Sequence, residues 1–448
     1  MKSDVMAMRA FPPDRLCVAI VGGGFSGTMV AAQLARRGIR SVLIEGNRRI
    51  GRGVAYSTRE PAHVLNVRAE VMSAWPDDLE DFARQIETEG GSAKDFSERR
   101  RFGRYLDAIL NDAVGKGLVT PVETKAVSAV READGWSIGL EDGLTVQAKA
   151  LVLAIGNQEP AAMAVAQGVS AERFINNPWG PQARAADERL AGSDRPVLLL
   201  GTGLTAVDHI LSLDANGHRG RIVALSRRGQ MPRGHVVYDP APVEADEVPM
   251  GNVLALWRWL RRRAAHGSWR AAVDALRPHS SAIWQAFGEQ EQRRFMRHAR
   301  PWWDVHRHRI ATEVAQRMKE LIGSGQLEVV AGRVQSMRET GDSVEVEVTR
   351  RGTGRVERRL FDAVVNCTGP LGAMVRTENP ILRQMLDDRL IAVDPLGIGL
   401  DVDERDRAGA GVWALGPMTK GKYWEIIAVP DIRGQAAAVA ADIATELE

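Results

Sequence analysis

The sequence predicts an α/β protein in which one plan of strand, glycine turn, helix and strand occurs twice. The first copy spans residues 17–46 and the second spans 195–229, and their first glycines lie 179 residues apart. A β-rich stretch follows each copy, at 122–147 and at 327–360, and each stretch closes on an apolar strand that ends in glycine. One domain with chance glycines would not repeat this order, so we expect two Rossmann-like dinucleotide-binding domains.

The first copy is a buried strand, a tight turn, an amphipathic helix and a second buried strand that ends at Glu45. Its glycines have GxGxxG spacing, which suits a tight turn, a close approach to a pyrophosphate and a helix packed on the strand. The carboxylate of Glu45 can accept hydrogen bonds from the hydroxyls of an adenosine ribose. The residues expected to bind this dinucleotide are Gly22, Gly24, Phe25, Ser26, Gly27 and Glu45.

The second copy has GxGxxA spacing, and its second strand ends in a hydroxyl and two guanidinium groups instead of an acid. Guanidinium groups match the charge and shape of a 2′-phosphate, so this copy is expected to prefer NADPH to NADH. The alternative is a solvated turn in an arginine-rich chain. The residues expected to bind this second dinucleotide are Gly201, Gly203, Leu204, Thr205, Ser226, Arg227 and Arg228.

Composition and charge exclude several classes of protein. Of the 448 residues, 44% are hydrophobic and 26% are charged, which argues against disorder and fibrous repeats. The formal net charge of +2 gives no reason to expect a nucleic-acid partner. The longest apolar runs are shorter than the roughly 18 residues of a membrane-spanning helix, so we expect no membrane span.

The two cysteines, Cys17 and Cys367, stand far apart in apolar strand-like runs. They predict no disulfide framework, no CxxC redox pair and no thiolate zinc site, and they suit a reducing compartment. The N-terminal residues contain no apolar stretch of signal-peptide length. Together these observations predict a cytoplasmic protein.

Four longer motifs extend the pattern beyond the glycine turns. They are GRGVAYSTREPAHVLNVRAEVMS at 51–73, GTGLTAVD at 201–208, RPWWDVHRHR at 300–309 and LGPMTKGKYWEIIAVPDIRGQA at 415–436. With these motifs the chain resembles the bacterial FAD-NAD(P)-binding family of the two-dinucleotide-binding flavoprotein superfamily. Its layout is similar to that of class B flavin monooxygenases. The resemblance implies FAD in the first domain and NADPH in the second, inserted domain.

The resemblance and the positions of the motifs give a domain plan. We expect a discontinuous FAD-binding domain at 14–160 and 375–448, an NADPH-binding domain at 190–250 and 320–374, and a helical insert at 251–319. The resemblance also implies further cofactor-binding residues, which are Tyr56, Gly156, Gly369, Gly416, Pro417, Glu425 and Ile426. The candidates for catalytic groups are Asn66, Arg68, His235 and Trp424.

Two differences from the motifs of known monooxygenases leave the identity of the substrate open. The Baeyer–Villiger fingerprint FxGxxxHxxxW carries a histidine, whereas the linker at 168–180 has Asn176 and Asn177 before Trp179. N-hydroxylating enzymes carry an ATGY-like end on the linker strand, whereas residues 154–157 are AIGN. Dithiol reductases of the same fold need a cysteine pair, which this sequence lacks.

The helical insert is rich in arginine and tryptophan. Its tryptophans could form a core with solvated arginines around it, or the insert could be a substrate lid or a dimer interface. Asp304, His306 and His308 cannot converge on a metal from alternate positions of one helix, so we expect no metal site.

The sequence therefore predicts an FAD- and NADPH-dependent oxidoreductase. The leading hypothesis is a single-component monooxygenase that forms a C4a-(hydro)peroxyflavin with O₂ and oxygenates a small molecule, by N-hydroxylation or related heteroatom oxidation. The alternatives are an NADPH-dependent flavin reductase or dehydrogenase that passes electrons to a quinone or a partner protein, and a non-catalytic nucleotide-binding protein. A homodimer is left open.

Overall fold

The computed structural model describes residues 17–46 and 49–448. The start of the expected FAD-binding domain, residues 14–16, and the N-terminal segment searched for an export signal lie outside the described residues. The chain divides into two compact units. The first unit consists of the chain up to Arg59 together with Arg68–Gln158 and Ala373–Glu448.

The second unit consists of Glu60–Val67 and Glu159–Gly372. It includes residues 60–67, which the domain plan placed in the first part of the FAD-binding domain. It also includes the helical insert at 251–319, which does not separate as a unit of its own.

The first unit begins with a strand, a helix and a strand, and it continues through short helices to a small antiparallel sheet. The strands are β1 (Cys17–Val21), β2 (Arg40–Ile44), β3 (Val119–Val122), β4 (Ala126–Glu132), β5 (Gly135–Leu140), β6 (Thr145–Ala148) and β7 (Ala150–Leu153). The helices are α1 (Phe25–Ala35), α2 (Gly53–Tyr56), α3 (Asp81–Thr88) and α4 (Arg99–Gly115). Strands β4, β5 and β6 form the separate three-stranded sheet.

The second unit repeats the strand, helix and strand plan around β9, α6 and β10. Its strands are β8 (Phe174–Ile175), β9 (Val197–Leu200), β10 (Ile222–Ser226), β11 (Leu327–Thr340), β12 (Ser343–Arg350), β13 (Val356–Phe361) and β14 (Ala363–Asn366). The helix of the plan is α6 (Leu204–Ala215), and α5 (Pro181–Leu190) precedes β9.

The arginine-rich insert is helical, as its sequence predicts. Its helices are α7 (Val253–Ala265), α8 (Trp269–Ala275), α9 (Ser280–Ala286), α10 (Glu289–Arg294) and α11 (Arg300–Arg307), followed by α12 (Thr312–Gly323). The rings of Trp284, Phe295 and Trp303 pack together and are at least nine-tenths buried. Trp302, in contrast, is 41% exposed, so the tryptophans are divided between core and surface.

The C-terminal segment returns to the first unit. It contains α13 (Pro380–Asp387), β15 (Arg407–Gly409), β16 (Val412–Ala414), α14 (Lys420–Tyr423) and α15 (Val429–Leu447). The last helix, α15, is the longest of these elements.

The sheet order places both glycine turns at equivalent positions. The first unit has the order β15-β16-β7-β1-β2-β3, and the second has β13-β12-β11-β10-β9-β14-β8. In each sheet the strand before the glycine turn, β1 or β9, runs parallel to both of its neighbours and is almost wholly buried. Ligands of open α/β sheets bind at the carboxyl ends of such strands, where the strand order reverses.

Candidate functional sites: two glycine turns

The first glycine of each turn adopts a backbone conformation that side chains disfavour. Gly22 has φ of 108° and Gly201 has φ of 124°. A Cβ atom at Gly22 would collide with the carbonyl oxygen of Ala154 after β7, and one at Gly201 would collide with that of Cys367 after β14. Both conformation and space therefore require glycine at these positions.

The third small residue lets the helix pack closely on the turn. A Cβ at Gly27 would collide with the carbonyl oxygen of Gly22. The equivalent residue of the second copy is Ala206, which is fully buried. The two turns are thus alike in their packing, although only the first requires glycine in the last position.

The middle glycines differ in their surroundings. A Cβ at Gly24 would lie 3.4 Å from the Cα atom of Gly53, at the start of α2. A Cβ at Gly203 would meet no atom within 4 Å. Gly203 therefore faces open space, which suits a ligand that approaches the backbone closely.

Neither helix that follows a glycine turn has a side-chain cap. Helix α1 begins after Gly24 and α6 after Gly203, and neither helix has an acidic residue in its first turn. The first backbone N–H groups of a helix have no intrahelical acceptor, and they attract phosphate groups. Phe25 and Ser26 in α1, and Leu204 and Thr205 in α6, lie at these two helix N-termini.

Glu45 is held against the first turn. Its Oε2 atom accepts a hydrogen bond of 2.9 Å from the backbone N–H of Gly23. A Cβ at Gly23 would lie 2.8 Å from the Cβ of Glu45, so the strand end and the turn are in close contact. This contact fixes the direction of the carboxylate at the carboxyl end of β2.

Ser226 makes the corresponding contact in the second unit, through side chains. Its Oγ lies 2.9 Å from Oγ1 of Thr202, and it accepts a hydrogen bond of 3.0 Å from the N–H of Gly229. Thr202 Oγ1 also bonds the carbonyl of Gln230, which can only accept. Thr202 has one hydroxyl proton, so Ser226 must donate its own proton to Thr202, and its hydroxyl is engaged in the turn.

The two arginines that follow Ser226 are placed differently. Arg227 is exposed, and its backbone carbonyl accepts a hydrogen bond from Nη1 of Arg351 at 3.4 Å. Arg228 is half-buried. We therefore expect a 2′-phosphate to bind to the guanidinium groups of Arg227 and Arg228 rather than to the Ser226 hydroxyl.

The C-terminal loop of the first unit contains Gly416, which lies close to the first turn. A Cβ at Gly416, where φ is 66°, would lie 2.6 Å from the hydroxyl oxygen of Ser26. The N–H of Gly416 donates to Oε1 of Gln435 at 2.7 Å. Pro417, the next residue, lies in a short 3-10 helix, Gly416–Thr419. The structure therefore brings together Ser26 and the Gly416 loop, which are far apart in the sequence.

Gln435, on α15, holds this loop in place, and the sequence interpretation missed it. Its amide nitrogen donates to Oδ1 of Asp406 at 3.0 Å and to Oγ1 of Thr419 at 3.1 Å. Thr419 in turn donates to the carbonyl of Gly416 at 3.0 Å. Burial raises the pKa of Asp406. The sequence signal that could have drawn attention to Gln435 is a polar residue next to the apolar run of α15.

Trp424 lies at the centre of a strained turn. Its φ is 57° and its ψ is −64°, and the N–H of Glu425 bonds the carbonyl of Tyr423 at 2.7 Å across it. This is the rare γ-turn with positive φ, which a bulky residue seldom adopts. Glu425 and Ile426, which follow, are buried.

Two of the candidate catalytic residues are in contact in the second unit. Nε2 of His235 lies 2.9 Å from the carbonyl oxygen of Asn66, which can only accept, so Nε2 carries the proton. Arg68 lies in the first unit, where it donates to the carbonyl of Lys94 at 2.6 Å and stacks over Phe96. The catalytic roles of Asn66, Arg68, His235 and Trp424 remain predictions.

The remaining candidates are Tyr56 and two loop glycines. The ring of Tyr56 lies 4.6 Å from that of Phe102, and burial raises the pKa of Tyr56 to about 12. Gly156 follows β7 with φ of 75°, and Gly369 follows β14 with φ of 96°. Neither glycine has an atom within 4 Å of an added Cβ. Both loops therefore have free space at the carboxyl ends of the central strands.

A buried histidine pair in the second unit escaped the sequence interpretation. His209, on α6, donates from Nε2 to the carbonyl of Pro178 at 2.8 Å, which leaves Nδ1 as an acceptor. His63 donates from Nε2 to the carbonyl of Asp208 at 2.9 Å. The Trp179 ring contacts both imidazole rings. The pair is brought together from segments more than 140 residues apart.

An acid next to His209 has a strongly altered pKa. Oδ1 of Asp187 lies 4.0 Å from Nδ1 of His209. Burial, together with the charges of Glu60 and Glu188, raises the pKa of Asp187 to about 7. Burial lowers the pKa of His209 to about 4. At pH between these two values the proton resides on the acid and the imidazole is neutral.

The described residues contain neither a candidate membrane span nor a candidate metal centre. Among the described residues, no helix combines the length and the apolar character needed to cross a bilayer. In the same part of the chain, no group of three or more His, Cys, Asp or Glu side chains is arranged to hold a metal ion.

The sheet topology and the paired glycine turns match the two-dinucleotide-binding flavoprotein fold. Residues 19–158 match the family model described as FAD-NAD(P)-binding. The predicted fold class and the predicted family resemblance are therefore confirmed. The matched segment contains the last three residues of β1, the first glycine turn and Glu45.

Solved structures with the same fold cover nearly the whole chain. L-lysine 6-monooxygenase from Pseudomonas syringae is 16% identical with a TM-score of 0.68, and the match covers 97% of this chain and 100% of that one. The ornithine N-hydroxylase of Kutzneria sp. 744, in a structure with reduced FAD, NADP⁺ and L-ornithine, is 16% identical with a TM-score of 0.66 over 97% and 100% of the chains. At these identities the likeness concerns the fold.

One curated relative is a Baeyer–Villiger monooxygenase of Stachybotrys chlorohalonatus (strain IBT 40285). It is 24% identical over 209 residues, which are 44% of this chain. The chain matches about a third of the length of this relative, 32%. The match is thus to part of a larger protein.

Proposed function

We propose that the protein is an FAD-dependent NADPH oxidoreductase, and that it acts as a single-component flavin monooxygenase on a small molecule. The observation that carries the proposal is the pair of glycine turns, alike in backbone geometry and different in charge. Glu45 lies at the end of β2, whereas Arg227 and Arg228 follow the end of β10. A protein that binds two different dinucleotides needs this combination.

The residues of the first unit fit FAD. The N-terminus of α1 and the turn at Gly22–Gly24 would hold the pyrophosphate, because the helix has no cap and the turn has no side chains. Glu45 would accept hydrogen bonds from the adenosine ribose. The hydrogen bond from Gly23 orients the carboxylate before the cofactor arrives. When bound, FAD supplies the electron-transfer chemistry and the reactivity towards O₂.

The residues of the second unit fit NADPH. The uncapped α6 N-terminus and the open space at Gly203 would receive the pyrophosphate. Arg227 and Arg228 would pair with the 2′-phosphate, since a carboxylate at this position would repel it. Ser226 would act indirectly, through its bond to Thr202, by holding the strand end against the turn.

The cysteines argue against electron transfer through a dithiol. The sequence contains two, Cys17 and Cys367. Cys367 is buried, and burial raises the pKa of its thiol well above the usual range. Because thiol exchange needs a thiolate, this residue is unsuited to it. With a dithiol acceptor disfavoured, the proposed electron acceptor is O₂, and the proposed reaction is N-hydroxylation or a related heteroatom oxidation.

One spectroscopic experiment tests the proposal. Purified protein is denatured to identify the released flavin, and native protein is reduced with NADPH without oxygen and then mixed with O₂ in a stopped-flow instrument. We expect FAD, bleaching by NADPH, and an absorbing species that precedes the oxidised spectrum. Direct reoxidation without such a species, with any amine, ketone or sulfur compound present, would favour a reductase. Absence of bleaching would indicate a non-catalytic binder.

A further inference from the structure

A second charged cluster in the second unit lies outside the two glycine turns. Arg309, which follows α11, uses Nη2 to contact both carboxylate oxygens of Asp274 on α8. The phenol of Tyr238 donates to the same carboxylate. These contacts hold the Arg309 guanidinium in one orientation.

Most of the N–H donors of Arg309 have no acceptor among the described residues. Only 4% of its surface is exposed, and its Nε and Nη1 atoms are buried without a hydrogen-bond partner in the part of the chain that the structure describes. A guanidinium group has five N–H donors, of which Nε and Nη1 carry three. Donors of a buried charged group are rarely left unpaired, and an ion or water that is not described is one common explanation. The site is therefore short of acceptor atoms.

A further arginine, Arg270, adds positive charge to the cluster. Burial, followed by the charge of Arg309, lowers the pKa of Arg270. The two guanidinium groups of Arg270 and Arg309 thus have one nearby carboxylate, that of Asp274, which leaves an excess of one positive charge. Tyr238 does not offset this excess, because burial and the nearby carboxylate raise the pKa of its phenol.

The backbone around the cluster is held by hydrogen bonds. Ile310 donates to the carbonyl of Arg233 at 3.0 Å, and His235 donates to the carbonyl of Ile310 at 2.9 Å. Arg270 packs over the ring of Trp269, 4.2 Å from its centroid, and Nη2 donates to the carbonyl of Gly234 at 2.9 Å. The guanidinium groups of Arg270 and Arg309 are therefore positioned without a ligand, and little reorganisation is needed to bind one.

We propose that Arg270 and Arg309 form a binding site for a small oxyanion, a carboxylate or a phosphate group. The planar guanidinium fork matches both groups and binds them through paired hydrogen bonds. Asp274 and Tyr238 orient Arg309 and reduce the affinity of the site, since the carboxylate repels an anion. The site is separate in sequence from Arg227 and Arg228, and it does not depend on the proposed function.

Calorimetric titration of the full-length protein tests the site, with inorganic phosphate or acetate as the probe at constant ionic strength. We expect saturable binding of at least one probe. Arg270→Gln should weaken it about tenfold, because a charge-assisted hydrogen bond is lost. Arg338→Gln, an exposed arginine on β11 paired with Glu345, is the matched control and should bind like the wild type.

Asp274→Asn separates binding from a purely structural role. It should tighten binding of the probe, because it removes the one negative charge of the cluster, whereas a structural defect could only weaken binding. It also keeps the proposal testable if Arg270→Gln fails to fold. Absence of saturable binding of both probes, or equal binding by the wild type and both cluster variants, would overturn the proposal.

A repeat titration with saturating NADP⁺ identifies the source of the oxyanion. Competition would assign the site to a phosphate group of the nucleotide. Additive binding would assign it to a separate ligand with a carboxylate or phosphate group.

Discussion

Oε2 of Glu45 lies 2.9 Å from the backbone nitrogen of Gly23, so that the end of β2 is hydrogen-bonded to the turn that follows β1. The second unit joins the same two positions through Ser226 and Thr202, at 2.9 Å. One interaction leaves a negative charge beside the turn, and the other leaves a neutral hydroxyl followed by two arginines. We therefore expect the nucleotide specificity of each unit to depend on the charge at the end of its second strand, which comes from Glu45 in the first unit and from Arg227 and Arg228 in the second.

Glu45→Gln is expected to reduce FAD retention. The amide oxygen can still accept from Gly23, so the turn should keep its shape, but the charge that strengthens hydrogen bonds to ribose hydroxyls is lost. The effect should be about 10- to 100-fold in affinity, from about 1.5–3 kcal/mol for a hydrogen bond to a charged group. Flavin content per protein, from absorbance after denaturation, measures it.

Glu123→Gln is the matched control for this change. Glu123 is exposed and directly follows β3, the neighbouring strand, so it shares the location but not the contact with the turn. Equal flavin loss in both variants would argue against a specific role for Glu45.

Arg227→Ala and Arg228→Ala should weaken NADPH about 10- to 100-fold and leave NADH nearly unchanged, because each removes a charge-assisted hydrogen bond to the 2′-phosphate. Anaerobic flavin reduction over a range of nucleotide concentrations measures this, with FAD content as a check on folding. Arg338→Ala provides the control. Equal losses for both nucleotides would place the arginines at a group that NADH shares, and a wild-type preference for NADH would overturn the assignment.

The glycine turns could be predicted from the sequence because they depend on the backbone alone. Gly22 and Gly201 require a positive φ and the absence of a side chain, and the spacing of the glycines in the sequence indicates both requirements. Gln435, in contrast, could not be assigned a role, because its partners come from segments 16 to 29 residues away along the chain. The carboxylate at Glu45 was predictable from its position at a strand end, but its bond to Gly23 was not.

The conformation of Trp424 was equally unpredictable. Tryptophan has no preference for positive φ, so no local signal marks the γ-turn. Its neighbours Tyr423 and Glu425 hold it there through one backbone hydrogen bond. The buried pair His63 and His209 depends on a contact over more than 140 residues, which no local pattern encodes.

Trp424 offers a test of backbone strain. Both Trp424→Ala and Trp424→Gly remove the indole, but only glycine adopts φ of 57° without strain. The glycine variant should therefore be more stable than the alanine variant by about 1 kcal/mol, measured by urea denaturation monitored by circular dichroism. Equal stability would mean that the turn relaxes when the indole is removed. If Trp424 contacts the cofactor or the substrate, both variants should lose activity to a similar extent.

The opposite pKa shifts of Asp187 and His209 predict an unusual pH dependence of stability. His209 has a folded-state pKa of about 4, below its ordinary value of 6.5, so its contribution to stability is lost as pH falls through this range. Asp187 has a folded-state pKa of about 7, above its ordinary value of 3.8, so its contribution is lost as pH rises through that range. Between pH 4 and 6.5 the pair binds one proton in the folded state and one in the unfolded state. The opposite contributions of Asp187 and His209 to the pH dependence of stability should therefore cancel.

Single substitutions should reveal how each group alone changes the free energy of unfolding with pH. With Asp187→Asn, the free energy of unfolding should rise from pH 4 to 6.5 by about 2–3 kcal/mol, because only His209 still releases a proton on folding. With His209→Gln, it should fall over the same range, because only Asp187 still takes one up. Urea denaturation at half-unit pH steps measures both, with Asp214→Asn on the same helix as control. Parallel profiles for the two variants would show that the shifts of Asp187 and His209 do not determine the pH dependence.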